Sequence, residues 1–190
     1  AYAITSAPSI PVITSPTTAS GQVGVPFSYQ ITASNSPASF SATGLPAGLT
    51  LNASTGLISG TPTAAATSSV TIGATNAGGT GTSTLTLIIN AAANTAPTIT
   101  SIANQTTATG VAVGPLAFTV GDAQTAAGSL TVTRTSSNTT LVPLANIALG
   151  GSGASRTVTV TPAASQTGTA TITLTVSDGS LTSSSTFTLT

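Results

Sequence analysis

A two-residue alternation of apolar and hydroxyl side chains dominates this chain and sets its fold class. Phe27-Ser28-Tyr29-Gln30-Ile31-Thr32 places Phe27, Tyr29 and Ile31 on one face. Thr157-Val158-Thr159-Val160-Thr161 repeats the pattern, and Thr169 to Ser177 (TATITLTVS) puts Ile172, Leu174 and Val176 in register. Successive side chains of a strand point to opposite faces, so this period in β-branched residues predicts half-buried strands. Turn residues, chiefly Gly and Pro, recur about every 8–12 residues, the rhythm of an all-β fold. No window has a helical period.

The core pattern is written twice. Thr18 to Asn35 (TASGQVGVPFSYQITASN) aligns without gaps to Thr107 to Gln124 (TATGVAVGPLAFTVGDAQ). Gly21 falls on Gly110, Pro26 on Pro115, and Phe27, Tyr29 and Ile31 on Leu116, Phe118 and Val120. The segments SSVTIGATNAGGTGTSTLTLII and TATITLTVSDGSLTSSSTFTLT each read as a terminal hairpin, the second with an Asp178-Gly179 turn whose central residues are expected at positive φ. The 190 residues suit two sandwiches of about 100 residues each. The predicted organisation is an N-terminal strand or arm at 1–7, a first Ig-like Greek-key β-sandwich at 8–90, a linker at 91–96 and a second sandwich at 97–190. Domains of this size fold without staples, which fits a chain that has no cysteine.

Charge is nearly absent. Asp122, Arg134, Arg156 and Asp178 are the only formally charged side chains, and residues 1–96 contain none. An average domain has about 25%. With a net charge of zero, nothing repels one copy of the chain from another. The longest apolar runs, such as Leu87-Ile88-Ile89, are far short of the roughly 18 residues of a membrane-spanning helix, and the alternation that would also suit a transmembrane barrel comes in short strands without aromatic girdles, so no membrane insertion is expected. The opening AYAITSAP is no secretory leader; an exported protein has lost its leader or carries it upstream.

These absences remove most chemistry. Nucleophilic catalysis needs a base beside the nucleophile, and the chain has no His and no Lys. Zinc lacks its Cys and His ligands. Calcium takes six to eight oxygens, usually several from carboxylates, while GDAQT at Gly121 to Thr125 offers Asp122 with Gln124 in place of an acid. Asp122 is therefore read as a turn residue, and no catalytic, cofactor or metal residue is expected. Two arginines make no nucleic-acid surface; Arg134 and Arg156 are expected to pair with Asp122 or Asp178. A sugar-stacking platform needs exposed rings, and only Tyr2 and Phe40 fall outside the inferred core faces.

ITSP, GQVGVPFSYQITASN, GLPAGLTLN, TGLISGTP and TNAGGTG resemble the putative-immunoglobulin repeats, of the He-PIG type, found in large bacterial surface proteins. Residues 97–190 are similar to a companion cadherin-like or Ig-like repeat. The resemblance implies extracellular, cell-surface sandwiches that serve as stalks, spacers or adhesive modules, with no single ligand implied. The expected role is a structural building block of a surface fibre or stalk, a homopolymer or one part of a longer chain; the alternative is an adhesive, ligand-binding module. Tyr2 and Ile4 share a face of a strand-like N-terminal segment, which is either a loose chain end or a strand that completes a neighbouring subunit. Asn52, Asn104 and Asn138 each open an N-x-Ser/Thr sequon, the acceptor pattern for N-glycosylation.

Overall fold

The computed structural model describes residues 8–190. The chain divides between Ala93 and Asn94 into two compact units. Tyr2 and Ile4 lie outside the described residues.

Unit 1 contains β1 (Thr18–Gln22), β2 (Phe27–Gln30), β3 (Ser39–Thr43), β4 (Leu49–Asn52), β5 (Leu57–Gly60), β6 (Ala66–Asn76) and β7 (Gly79–Asn90). They form two sheets, ordered β1-β7-β6-β3 and β2-β5-β4. Strand β1 runs parallel to β7, whereas the remaining pairs are antiparallel. The inward faces meet in one cluster that includes Phe27, Tyr29, Ile31, Ile58, Val70, Ile72, Leu85, Leu87 and Ile89. The Tyr29 hydroxyl reaches the end of that cluster and donates to the Pro16 carbonyl at 2.6 Å, which satisfies its polar tip.

Unit 2 contains β8 (Thr98–Ile99), β9 (Val113–Gly121), β10 (Thr131–Ser136), β11 (Ile147–Ser152), β12 (Ser155–Val160), β13 (Ala170–Ser177) and β14 (Thr182–Leu189), with one short 3-10 turn at Leu144–Asn146. Its sheets run β11-β12-β9-β8 and β10-β13-β14. In both units the last two strands pair as a hairpin beside the third, while the second and fifth strands pair in the opposite sheet. That interleaving is the Greek-key order of an Ig-like sandwich. The alternation is carried through to burial: along β13, Ala170, Ile172, Leu174 and Val176 are buried and the residues between them are half-buried.

Two local expectations are corrected. The β13–β14 connection is a four-residue loop, Asp178 to Leu181, and only Gly179 among them has a positive φ, +99°. The Asp178 carboxylate replaces the tight turn by accepting the N–H groups of Ser180 and Leu181, each at 2.6 Å. Phe40 is not a free ring: it packs on the unit 1 core, against Gly56.

Glycines set the close approaches in unit 1. Gly48 has φ +89°, and a Cβ there would overlap the Thr61 carbonyl oxygen; a Cβ on Gly60 would overlap the Gly48 oxygen. The GLPAGLT loop is thus a packed turn, with Leu45 and Leu49 against the core. At the β6–β7 tip, Cβ atoms on Gly78 and Gly81 would overlap the carbonyl oxygens of Pro8 and Pro11. The TNAGGTG segment is therefore a backbone track on which residues 8–11 lie.

Candidate interaction surface

The sheet faces that point away from each core carry hydroxyls in rows. In unit 2, cross-strand partners on β10, β13 and β14 form the rows Thr131–Ser177–Thr182, Thr133–Thr175–Ser184 and Thr135–Thr173–Thr186, followed by Thr171–Thr188. Strands sit about 4.8 Å apart, so the rows make a regular lattice. The Thr175 and Ser184 hydroxyls bond one another at 2.8 Å within it. Unit 1 presents the same arrangement on β3, β6 and β7: Ser39–Thr75–Thr80, Ser41–Gly73–Thr82 and Thr43–Thr71–Thr84. A further row joins Ser69, Thr86 and Thr18. The Thr75 and Thr80 hydroxyls are 2.8 Å apart.

This surface has a definite chemistry. Each hydroxyl is both donor and acceptor, so one such face is complementary to a copy of itself. The methyl groups of threonine add apolar contact, and no charge has to be desolvated. The strands β1 and β3 that border the unit 1 lattice carry no charged residue, where edge strands are ordinarily guarded by lysines or inward charges.

The four charged side chains serve loops. Arg156 donates from Nε to the Gly153 carbonyl at 2.8 Å and from Nη2 to the carbonyls of Ala127 and Leu130 at 3.1 and 3.3 Å. Arg134 donates from Nε to the Leu144 carbonyl at 3.3 Å. Both arginines thus bond backbone carbonyls, and the expected pairing with Asp122 or Asp178 is not made. The cause is placement: Arg156 leaves β12 beside the 127–130 loop, whose free carbonyls accept the guanidinium fork.

Asp122 accepts the N–H groups of Gln124 and Thr125 through Oδ1, while its Oδ2 is buried without a partner. Gln124 Oε1 accepts from the Thr95 N–H and hydroxyl at 3.1 and 2.8 Å. The GDAQT segment is therefore a turn held by Asp122 Oδ1 on its own backbone and by Gln124 Oε1 on Thr95. Among the described residues, no three acidic, His or Cys side chains gather as a metal-binding group. Asp178 is held below the usual carboxylate range, first by the Leu181 N–H, then by the Ser180 N–H, then by the Asn94 amide.

The sequon residues are accessible. Asn52 ends β4 and is exposed, Asn104 is exposed beside β14, and Asn138 is half-buried just after β10. Several surface hollows remain. One of about 230 Å³ is lined by residues including Thr107, Leu141, Pro162, Gln166 and Leu189; another of about 540 Å³ lies around Ser20, Gln22, Val25 and Pro26. Neither of these two is lined by a titratable side chain; a third, of about 110 Å³, has Arg156 in its lining. No helix among the described residues is long and apolar enough to cross a membrane.

The titin domains Z1Z2, solved in complex with telethonin, align with 94% of this chain and 94% of that chain at 18% identity and a TM-score of 0.52. This is a likeness of fold that extends over both units. An alpha-galactosidase/melibiase, itself described as putative, from Bacteroides fragilis NCTC 9343 is 33% identical over 44% of this chain, at a TM-score of 0.42. The chain spans only 18% of that protein's length. An endo-fucoidan hydrolase from glycoside hydrolase family 107 aligns with 96% of this chain and 34% of that chain at 19% identity and a TM-score of 0.39. No curated protein matches the chain. The Putative Ig domain family matches residues 10–90. The sandwich read from GQVGVPFSYQITASN and its companion motifs is thus the part of the chain that is similar to that family, in a chain built of Ig-like β-sandwich units.

Proposed function

We propose that this chain is a non-enzymatic structural building block of an extracellular bacterial surface fibre or stalk, and that copies of it associate with one another. The observation that carries this reading is the uncharged hydroxyl lattice on one sheet face of each unit. Such a face is self-complementary, and like charges do not oppose its approach to a second copy. The uncharged edges of unit 1 add a second route, in which an extended segment extends a sheet by strand addition. The strand-like arm at 1–7, with Tyr2 and Ile4, is the segment proposed for that role. The match of residues 10–90 to the Putative Ig domain family supports a module of structural or binding type.

Electron microscopy of the material as isolated, without refolding, tests the reading. Ordered fibres with a fixed subunit repeat are expected. Dispersed single particles would overturn polymer formation and leave the alternative of an adhesive, ligand-binding module, to be pursued by binding screens.

A further inference from the structure

The eight asparagines of the chain fall into two groups by what their side-chain nitrogens do. Asn35 donates from Nδ2 to the Ile10 carbonyl, and Asn76 donates to the carbonyls of Ser9 and Asn35. Asn90 donates to Gly21, Asn94 to the Asp178 carboxylate and Asn146 to Thr161. None of these five is followed by a hydroxyl residue two positions on. The other three, Asn52, Asn104 and Asn138, make no Nδ2 hydrogen bond among the described residues, and these are the three that open sequons.

Their side chains are nonetheless anchored, through the oxygen. Asn52 Oδ1 accepts the N–H groups of Ser54 and Thr55 at 3.0 and 3.2 Å. Asn104 Oδ1 accepts the Thr188 N–H at 2.8 Å, and Asn138 Oδ1 accepts the Leu141 N–H at 3.0 Å. A backbone N–H identifies its partner atom as oxygen, so Nδ2 is the unengaged atom in each case. The hydroxyls two positions on, at Ser54, Thr106 and Thr140, are exposed and also make no hydrogen bond among the described residues.

We infer that Asn52, Asn104 and Asn138 carry N-linked glycans. In the reaction, Nδ2 forms a bond to the anomeric carbon of a sugar activated as a pyrophosphate-linked donor. The bond from that carbon to the pyrophosphate oxygen breaks, the pyrophosphate carrier leaves with the bonding pair, and the displaced Nδ2 proton passes to solvent base. The carboxamide oxygen keeps its backbone hydrogen bond throughout, so the attachment disturbs no fold contact. The same reaction at Asn76 would take one of the two N–H groups that hold the carbonyls of Ser9 and Asn35.

Two of the positions share a further property: Asn52 lies on β4 and Asn138 closely follows β10, both edge strands, while Asn104 opens the segment that itself bonds along β14. Glycans at Asn52 and Asn138 hydrate and shield edges that this chain cannot guard with lysine or glutamate.

Peptide mass spectrometry of the protein isolated from its producing cells tests the inference. Trypsin cuts only after Arg134 and Arg156, so Asn138 is recovered on the peptide spanning 135–156. A less selective protease recovers Asn52 and Asn104. Carbohydrate mass is expected on all three, absent from the five bonded asparagines, and lost from Asn138 in a Thr140→Ala variant, which leaves the Asn138 side chain intact. Bare asparagine at two or more of the three sites would overturn the inference, as would glycan on Asn138 that survives Thr140→Ala. The inference is independent of self-association: fibres with bare asparagines would refute it and leave the proposed function standing.

Discussion

Unit 1 closes its loops by letting backbone approach backbone. Gly48 and Gly60 interlock, and Gly78 and Gly81 lie under the carbonyls of Pro8 and Pro11. Unit 2 uses such approaches at Gly114 and Gly151 and adds charge: Arg156 gathers three carbonyls, and Asp178 gathers two backbone N–H groups and the Asn94 amide. The two units share the order of six strands and differ in the first, which pairs with the seventh strand in unit 1 and with the second in unit 2; both close an apolar core, so ionised groups are not required by the sandwich itself. They are one of two ways of satisfying loop polar groups, and the way without them leaves a surface that does not repel its copies.

The largest break in this comparison is expected at the glycines. Gly81→Val or Gly48→Val should destabilise unit 1 by about 3–4 kcal/mol, because backbone must move to admit the side chain. Calorimetry should show the loss in the unit 1 transition alone. Leu87→Ala and Leu174→Ala, each fully buried in its own core, should cost about 2–5 kcal/mol apiece. The losses should fall in separate transitions; one shared shift would contradict two independent cores. Arg156→Met should cost unit 2 roughly 2 kcal/mol by stranding the carbonyls of Gly153, Ala127 and Leu130. Arg156→Lys should restore little, since an ammonium lacks the planar fork; denaturant midpoints give both values.

The smallest effect is in pH. Asp178 is depressed in the folded unit, so its contribution is present above the unfolded carboxylate pKa of about 3.9 and is lost as pH falls through the lower folded value. Unit 2 should therefore weaken slightly in acid below about pH 4. Residues 1–96 hold no carboxylate side chain, so the unit 1 transition should stay flat over that range. Asp178→Asn should remove the slope in unit 2, and a slope that remains would assign it elsewhere.

Much of this was legible in the residues. Phe27, Tyr29 and Ile31 alternate without interruption, and all three are core. TATITLTVS has no alternative to a strand, and it became the central strand of its sheet. The hydroxyl lattice is the other half of the same alternation, so its residues could be named, though not its cross-strand register. Strand β1 was hidden because Thr18–Gln22 has no apolar period and pairs in parallel with residues nearly 70 positions away. The arginine partners were hidden for a related reason: a guanidinium finds whichever carbonyls the fold leaves free, and a sequence does not print those. The glycine track was visible as TNAGGTG, but its purpose appears only when residues 8–11 lie against it.

The central claim is that uncharged hydroxyl faces hold copies of this chain together. Sedimentation velocity of the chain beside a Thr84→Lys/Thr186→Lys variant tests it most directly. Both positions are exposed and lie on the lattice faces of β7 and β14. The parent should sediment as an assembly at low and high salt alike. The variant should sediment as single chains at low salt and recover association as salt screens its lysines, over a Debye length of about 10 Å at 0.1 M. A variant that sediments like an assembled parent, or a parent that sediments as single chains, would contradict the account.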